Sequence, residues 1–315
     1  MAKLLCISGA LDMGDTAVAM IVFNRPELTR RVLAAVAQAR PTKLFVIADA
    51  ARAVRPGEEA RVAEVRALFD EIDWPCTVHR NFSDTNIGCK RRIISGIDWL
   101  FENVDSAIIL EDDCLPVPKF FDYCEEMLST YRDDPRVFSI SGSNFLDTIE
   151  PAGHYFSQTP ANWGWATWRD RWAHYVGDPD DVAAVVSRTW RRQPMKWAYW
   201  RKIFSMLATG KFDAWDYQWM LTHWRHNAMC VKPTQNLVEN IGFGSDATHT
   251  ADTSSWLARL PVYDGNESFT QAPAAVVPDR ERDAVEAVRL TQISLKTLIA
   301  MYLPIVPKIA RKIRN

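Results

Sequence analysis

The chain has 315 residues, 48% hydrophobic and 24% charged, which suits one large domain or two unequal ones with a packed core. A formal net charge of −2 removes any whole-protein argument for nucleic acid or another polyanion as partner. The six cysteines make no C-x-x-C pair and no regular spacing, so reduced thiols in a cytoplasmic setting are expected rather than a zinc or disulfide framework.

Asp12 and Asp15 interrupt the short apolar stretch near the N-terminus, a poor signal peptide. AVAMIVF (17–23) is then a strand candidate. Asn24 is placed to cap the helix that follows and Pro26 to occupy its first turn, with Leu28, Val32 and Val36 on one helical face. Pro41 ends that helix, and KLFVIA (43–48) forms a second buried strand closing on Asp49. A charged helix over about 58–71 leads to a strand at 76–80. A helix over 89–103 turns Ile93, Ile97 and Leu100 inward, and AIIL (107–110) is a third apolar strand. A helix over 118–131 and a strand over 137–141 complete this half. Short apolar strands alternating with amphipathic helices predict an α/β fold, a mostly parallel sheet flanked by helices, with its ligand site beyond the carboxyl ends of the strands.

Composition shifts near residue 150. Ten of the thirteen tryptophans lie between Trp163 and Trp224, so this half is expected to serve a different purpose. QAPAAVVP (271–278) suggests a linker, followed by a helix over about 280–302 and a basic tail. The expected organisation is a nucleotide-binding half over 17–150, a Trp-rich half over 151–270, and a linker, helix and tail over 271–315. No uncharged run reaches the roughly 18–20 residues that span a bilayer. LIAMYLPIVPKIARKIRN (298–315) places an apolar run before basic residues, which suits peripheral contact with an anionic membrane surface. Docking onto its own domain, or onto a second copy in a homo-oligomer, fits the tail equally.

Chemistry concentrates in ILEDDCLP (109–116). Adjacent Glu111, Asp112 and Asp113 after a buried strand repel one another and call for a cation if all are to stay ionised. A hard divalent metal with a diphosphate meets that need, and a solvated acidic turn is the plain alternative. Arg25 beside a helix start and Asp49 at a strand end are sensible ligand positions, although a surface salt bridge and a helix cap explain them as well. Lys90, Arg91 and Arg92 in NIGCKRR (86–92) are candidates for charge near a diphosphate, or simply a solvated helix face. In NWGWATWRDRW (162–172), Trp163 and Trp165 flank Gly164 and are the best tryptophans for stacking on a sugar, against a general expectation of core packing. NIGFGSDATHT (240–250) reads as a loop able to close over a bound diphosphate, with His249 as a further metal or phosphate ligand.

In order, VFNRPELTRRVL (22–33), LFVIADAARAVRPGEEA (44–60), ILEDDCLP (109–116) and AWDYQWM (214–220) resemble the GT-A fold (Rossmann-like) nucleotide-diphosphosugar transferases. The likeness is to bacterial family-2-like glycosyltransferases and to the N-acetylglucosaminyltransferase I family, over about residues 17–250. It implies an inverting, metal-dependent transfer from a nucleotide sugar, a UDP-sugar, to a glycan or glycolipid acceptor such as a bacterial surface polysaccharide. It further implies that Arg25 and Asp49 contact the nucleotide, Asp112 the ribose, and Asp113 binds Mn²⁺ or Mg²⁺. Glu111 would face the sugars and Asp216 would act as general base. The family carries two aspartates where this chain has Asp216-Tyr217. The cysteine usage and the basic tail together set the expected location as the cytoplasm, free or peripheral on the inner membrane face.

Two rivals remain. A metal-dependent nucleotidyltransferase should carry a Gly-rich basic loop after its first strand, and FNRPEL (23–28) is not one. A non-catalytic carbohydrate-binding protein built on the Trp-rich half should bind glycans without regard to nucleotide or metal. G-x-G-x-x-G is absent after the first strand, which disfavours a dehydrogenase.

Overall fold

The computed structural model describes residues 16–146, 150–177, 180–209, 214–243, 255–263, 265, 269 and 273–303. The chain runs β1 (Ala17–Val22), α1 (Pro26–Ala39), β2 (Lys43–Ala48), α2 (Glu58–Ala67), β3 (Thr77–Phe82), α3 (Cys89–Asn103), β4 (Ser106–Glu111), β5 (Cys114–Pro116), α4 (Lys119–Thr130) and β6 (Val137–Ser141). It continues through β7 (His154–Ser157), β8 (Trp165–Trp168), α5 (Arg169–Trp172), α6 (Val182–Trp190), α7 (Pro194–Ala208), α8 (Asp216–His226), β9 (Met229–Pro233), β10 (Val238–Asn240), α9 (Arg280–Thr291) and α10 (Leu295–Tyr302).

An 8-stranded sheet in the order β3-β2-β1-β4-β8-β6-β9-β7 forms the centre. It is mostly parallel; β8 and β7 run against their neighbours. The inner strands are apolar on both faces because helices cover both. Along β1, Val18, Met20 and Val22 meet Val32 and Val36 of α1, while Ala17, Ala19 and Ile21 face Ile93, Ile97 and Leu100 of α3. That alternation is the period-2 geometry of a strand. β8 inserts between β4 and β6, so the Trp-rich half extends the same sheet.

Register positions the site. Val22 pairs with Ala48, and Ile21 with Glu111, so β1, β2 and β4 end at one edge. The loops carrying Arg25, Asp49 and Asp112-Asp113 therefore open on the same side. β10 pairs antiparallel with β5, Asn240 opposite Cys114, which brings the segment after Asn240 back over the acidic turn.

Two local expectations are corrected. Asn24 does not cap α1: the cap position is Arg25, without a side-chain cap, and Asn24 instead donates to Glu58 Oε1 at 2.8 Å. The helix expected over 280–302 is two helices. Gln292 adopts a left-handed conformation at the end of α9, and Ser294 caps α10 by accepting from the Thr297 amide.

Candidate active site

Glu111 is the last residue of β4, Asp112 and Asp113 form the turn, and β5 starts at Cys114. Asp112 is buried, and its Oδ2 accepts the Phe23 amide at 3.2 Å, tying the turn to the end of β1. Arg25 Nη1 lies 2.7 Å from Asp113 Oδ2 and 3.6 Å from Asp112 Oδ1. A guanidinium thus sits against both aspartates from the loop between β1 and α1.

Asp216 opens α8 near enough for its charge to act on Glu111. Burial, followed by the charges of Asp113, Asp112 and Asp216, pushes the Glu111 carboxyl up to about 8. Burial raises Asp112 to about 7 against the pull of Arg25, and Asp113 adds to the rise. At Asp112 the pull of Arg25 exceeds the push of Asp113, yet burial still leaves both Glu111 and Asp112 raised, so each carboxyl holds its proton more readily than an exposed one would.

Lys90, in the first turn of α3, faces the first turn of α8. With its amide oriented to donate to the Ala214 and Trp215 carbonyls (2.8 and 3.2 Å), Gln218 presents its oxygen to Lys90 Nζ at 3.0 Å. Arg91, the next residue, is exposed. Arg92 turns inward and donates to the Asn81 side-chain oxygen at 2.7 Å; burial lowers its pKa. Asp49 is buried and fully engaged by backbone: Ala50 donates to Oδ1 at 2.9 Å, Gly88 to Oδ2 at 3.0 Å, and Ile87 to both oxygens at 3.2 Å. These amides fill its lone-pair positions, so Asp49 fixes the start of α3 to the end of β2.

Two features escaped sequence reasoning. A Cβ on Gly242 would lie 2.3 Å from Asp113 Oδ2, while the neighbouring Ile241 amide donates to the Asp113 carbonyl at 2.8 Å. The glycine allows the β10 segment to lie directly on the acidic turn; in sequence it is one of two glycines in a polar loop. Glu58, whose side chain is enclosed, accepts from Asn24, from the Arg52 amide at 2.7 Å and from the Arg52 guanidinium, and these bonds hold its carboxyl down at about 2. This brace ties the loop carrying Arg25 to the start of α2. Its components lie in distant segments that no local pattern connects.

The two flanking tryptophans part company. Trp163 is half-buried, edge-on to Phe145 (5.1 Å) and Phe243 (6.0 Å) beside Gly242. Trp165 is only 1% exposed, stacked on Trp215 at 5.5 Å and packed against Trp172 and Trp219, so it has no face to offer a sugar. Gly164, with φ +63°, makes its close approach to Val238 and Phe120 of the core rather than to a ligand space. Tyr217 packs against Trp200 in the cluster between α6, α7 and α8. His249, the remaining expected ligand, lies outside the described residues.

Among the described residues no three His, Cys, Asp or Glu side chains are arranged to hold a metal on their own. In nucleotide sites a hard cation takes one or two carboxylates and completes its shell with phosphate and water. Asp113, whose carboxylate is partly exposed just beyond the end of β4, fits that donor set.

No family model matches the sequence, and no curated protein does. Among solved structures, a mannosyltransferase from Pyrobaculum calidifontis in complex with GDP-Man and Mn²⁺ is similar at 11% identity, covering 69% of this chain and 71% of its own, with a TM-score of 0.36. A UDP-glucose pyrophosphorylase complexed with UDP-glucose is similar at 9% identity, over 51% of this chain and 79% of its own, with a TM-score of 0.30. A cytidylyltransferase from Leptospira borgpetersenii is similar at 8% identity, over 50% of this chain and 62% of its own, with a TM-score of 0.30. These likenesses are too distant to assign a family, and the functional reading rests on the site's own residues.

Proposed function

We propose that this protein is an inverting glycosyltransferase that moves a sugar from a UDP-sugar to a glycan or glycolipid acceptor. The observation that carries the reading is the gathering of Arg25, Glu111, Asp112, Asp113, Lys90 and Asp216 at the carboxyl edge of one sheet. A nucleotide sugar brings a diphosphate to be held and a leaving group whose charge must be neutralised. Arg25 and Lys90 supply fixed cations for it, and both lie at helix starts, where the helix dipole favours an anion. Asp112 contacts the ribose and Asp113 holds Mn²⁺ or Mg²⁺, which when bound supplies Lewis-acid stabilisation of the departing diphosphate.

Asp216 takes the proton from the acceptor hydroxyl as that oxygen attacks the anomeric carbon from the face opposite the leaving group, which inverts the configuration. Glu111, between Asp216 and the turn, faces the sugars. Trp163 borders the entrance. The acceptor is a growing bacterial surface glycan, and the basic residues after Leu303 keep the enzyme against the membrane where such acceptors are assembled.

The test is release of UDP from a UDP-sugar panel by wild type and Asp113→Ala with Mn²⁺ present. Metal-dependent release by wild type and its loss in the variant is expected; equal activity in both sinks the metal assignment. Release of pyrophosphate instead of UDP would move the protein to the nucleotidyltransferases. Glycan binding indifferent to UDP and Mn²⁺, with no turnover, would make it a carbohydrate-binding protein.

A further inference from the structure

Charge is segregated in this chain despite its near-neutral total. From Val182 to Thr209, spanning α6 and α7, the basic residues are Arg188, Arg191, Arg192, Lys196, Arg201 and Lys202, and no acidic residue occurs. After Glu286 there is again no acidic residue to the end of the chain. The fold brings these two segments together. α10 packs on α7: Tyr302 donates to the Ala198 carbonyl at 2.8 Å, Lys202 Nζ lies 5.2 Å from the Tyr302 ring, and Met301 joins the cluster around Trp200 and Phe204.

α10 is apolar on its outer face as well. Met301 turns inward and Leu298 is half-buried, whereas Leu295 and Ile299 of α10 and Leu303 at its C-terminal cap, at i, i+4 and i+8, are 68%, 42% and 58% exposed. Such spacing places them in one stripe along the helix. Val288 of α9 (63% exposed) and Met195 of α7 (42%) extend the apolar area around a shallow hollow of about 320 Å³. The acidic residues of α9 are turned elsewhere. Glu286 pairs with buried Lys232, Asp283 accepts from Ser157 and the Gln158 amide, and Glu281 sits at the opposite end of the helix from α10.

An apolar stripe bordered by cations and aromatic rings matches the interface of a bilayer with anionic headgroups. A polyanion such as RNA would be served by the cations but gain nothing from Leu295, Ile299 and Leu303. At eight residues α10 is too short to cross a bilayer, so it would lie along one. We propose that α7 and α10 form a docking surface for an anionic phospholipid bilayer, with the outer stripe of α10 immersed and Arg191, Arg192 and Arg201 at the headgroups. The surface shares no residue with the acidic turn, and its existence does not depend on the transfer reaction.

The experiment is flotation of the full chain with vesicles of phosphatidylcholine alone and of phosphatidylcholine with an equal amount of phosphatidylglycerol. Wild type is expected to float with the anionic vesicles and to dissociate in high salt. Leu295→Glu with Ile299→Glu should weaken partitioning by more than about tenfold. Arg191→Gln with Arg192→Gln should weaken it by roughly 25-fold, at about fivefold per basic residue near a charged surface. The replaced side chains are exposed, and unchanged far-ultraviolet circular dichroism would verify the fold. Wild type remaining with the unbound fraction overturns the proposal, as does binding untouched by the α10 pair. Binding to a single-stranded polynucleotide that falls in the arginine pair but not in the α10 pair would identify a nucleic-acid surface instead. UDP release on a soluble acceptor is measured on the same samples, so failure to float and failure to turn over are distinguished.

Discussion

The Arg25 guanidinium donates to Asp113 Oδ2 at 2.7 Å, joining the loop before α1 to the turn after β4. The cation against the acidic turn is thus delivered by the chain itself, from a loop held by the Glu58 brace. In the proposed reaction Arg25 also meets the diphosphate. Charge-assisted bonds of this kind contribute about 1.5–3 kcal/mol, so Arg25→Gln should weaken UDP binding in the presence of Mn²⁺ by roughly tenfold to a hundredfold. Arg25→Lys should recover only part, because an ammonium cannot reproduce the forked geometry. Calorimetric titration with UDP measures both, and unchanged affinity in Arg25→Gln removes it from the donor site.

Asp216 is assigned the proton. If it accepts the acceptor hydroxyl's proton, Asp216→Asn should lower kcat by about 10²–10⁴-fold while UDP affinity changes little. A structural role in starting α8 predicts the reverse: a fall in thermal stability, with residual turnover tracking the folded fraction. Steady-state kinetics with a responsive acceptor, alongside calorimetry with UDP, separates the two.

Most of the first half was legible because its strands are short apolar runs and its helices carry a clear inward face; β2, α3 and β6 match expectation residue for residue. Helix caps were less so. Asn24 has the right chemistry for a cap, but it is taken by Glu58, a partner that only the packing of α2 against α1 supplies. Asp49 shows the same limit: a carboxylate at a strand end reads equally as ligand or cap, and amides from beyond β3 engage it. The tryptophans were the hardest to read, since aromatic clustering looks alike whether the rings face a sugar or one another. Only strand register shows that Trp165, opposite Ile109, points into the core.

Gly242 gives a prediction that separates site from fold. Its missing Cβ is what lets β10's continuation touch the Asp113 carboxylate, and Gly242→Ala places a methyl 2.3 Å from Oδ2. The acidic turn must shift to make room. Donor binding and Mn²⁺-dependent UDP release should fall by about tenfold or more, because small displacements of aligned groups are costly to catalysis. The melting temperature should move only slightly, since Gly242 lies at the edge of the core. Full activity in the variant would show that the turn's position does not matter to function.

The two tryptophans of the 162–172 segment should behave oppositely. Trp165→Ala opens a hole between Trp215, Trp172 and Trp219 and should destabilise the fold by about 3–5 kcal/mol. Trp163→Ala, at a half-buried position, should cost less stability but alter the KM for donor or acceptor. Chemical denaturation and steady-state kinetics on the pair test this, and a stability loss of similar size in both would remove Trp163 from the entrance.

Glu58 predicts an acid-sensitive element beside the site. Its carboxyl is held at about 2 in the folded protein by its bonds with Arg52 and Asn24, against about 4.3 in an unfolded chain. A depressed folded value means that the ionised form favours folding. The resulting stability is complete above about pH 4.5 and is lost as pH falls towards about 2. Glu58→Gln cannot titrate there, so its stability should decline less steeply across that window while being lower than wild type at neutral pH. Urea denaturation at stepped pH values measures both slopes, and parallel curves for wild type and variant would mean that the Arg52–Glu58–Asn24 brace contributes nothing to acid sensitivity. Because the same brace holds the loop of Arg25, a wild-type loss of UDP affinity over this window that Glu58→Gln does not share would link the brace to the position of the guanidinium.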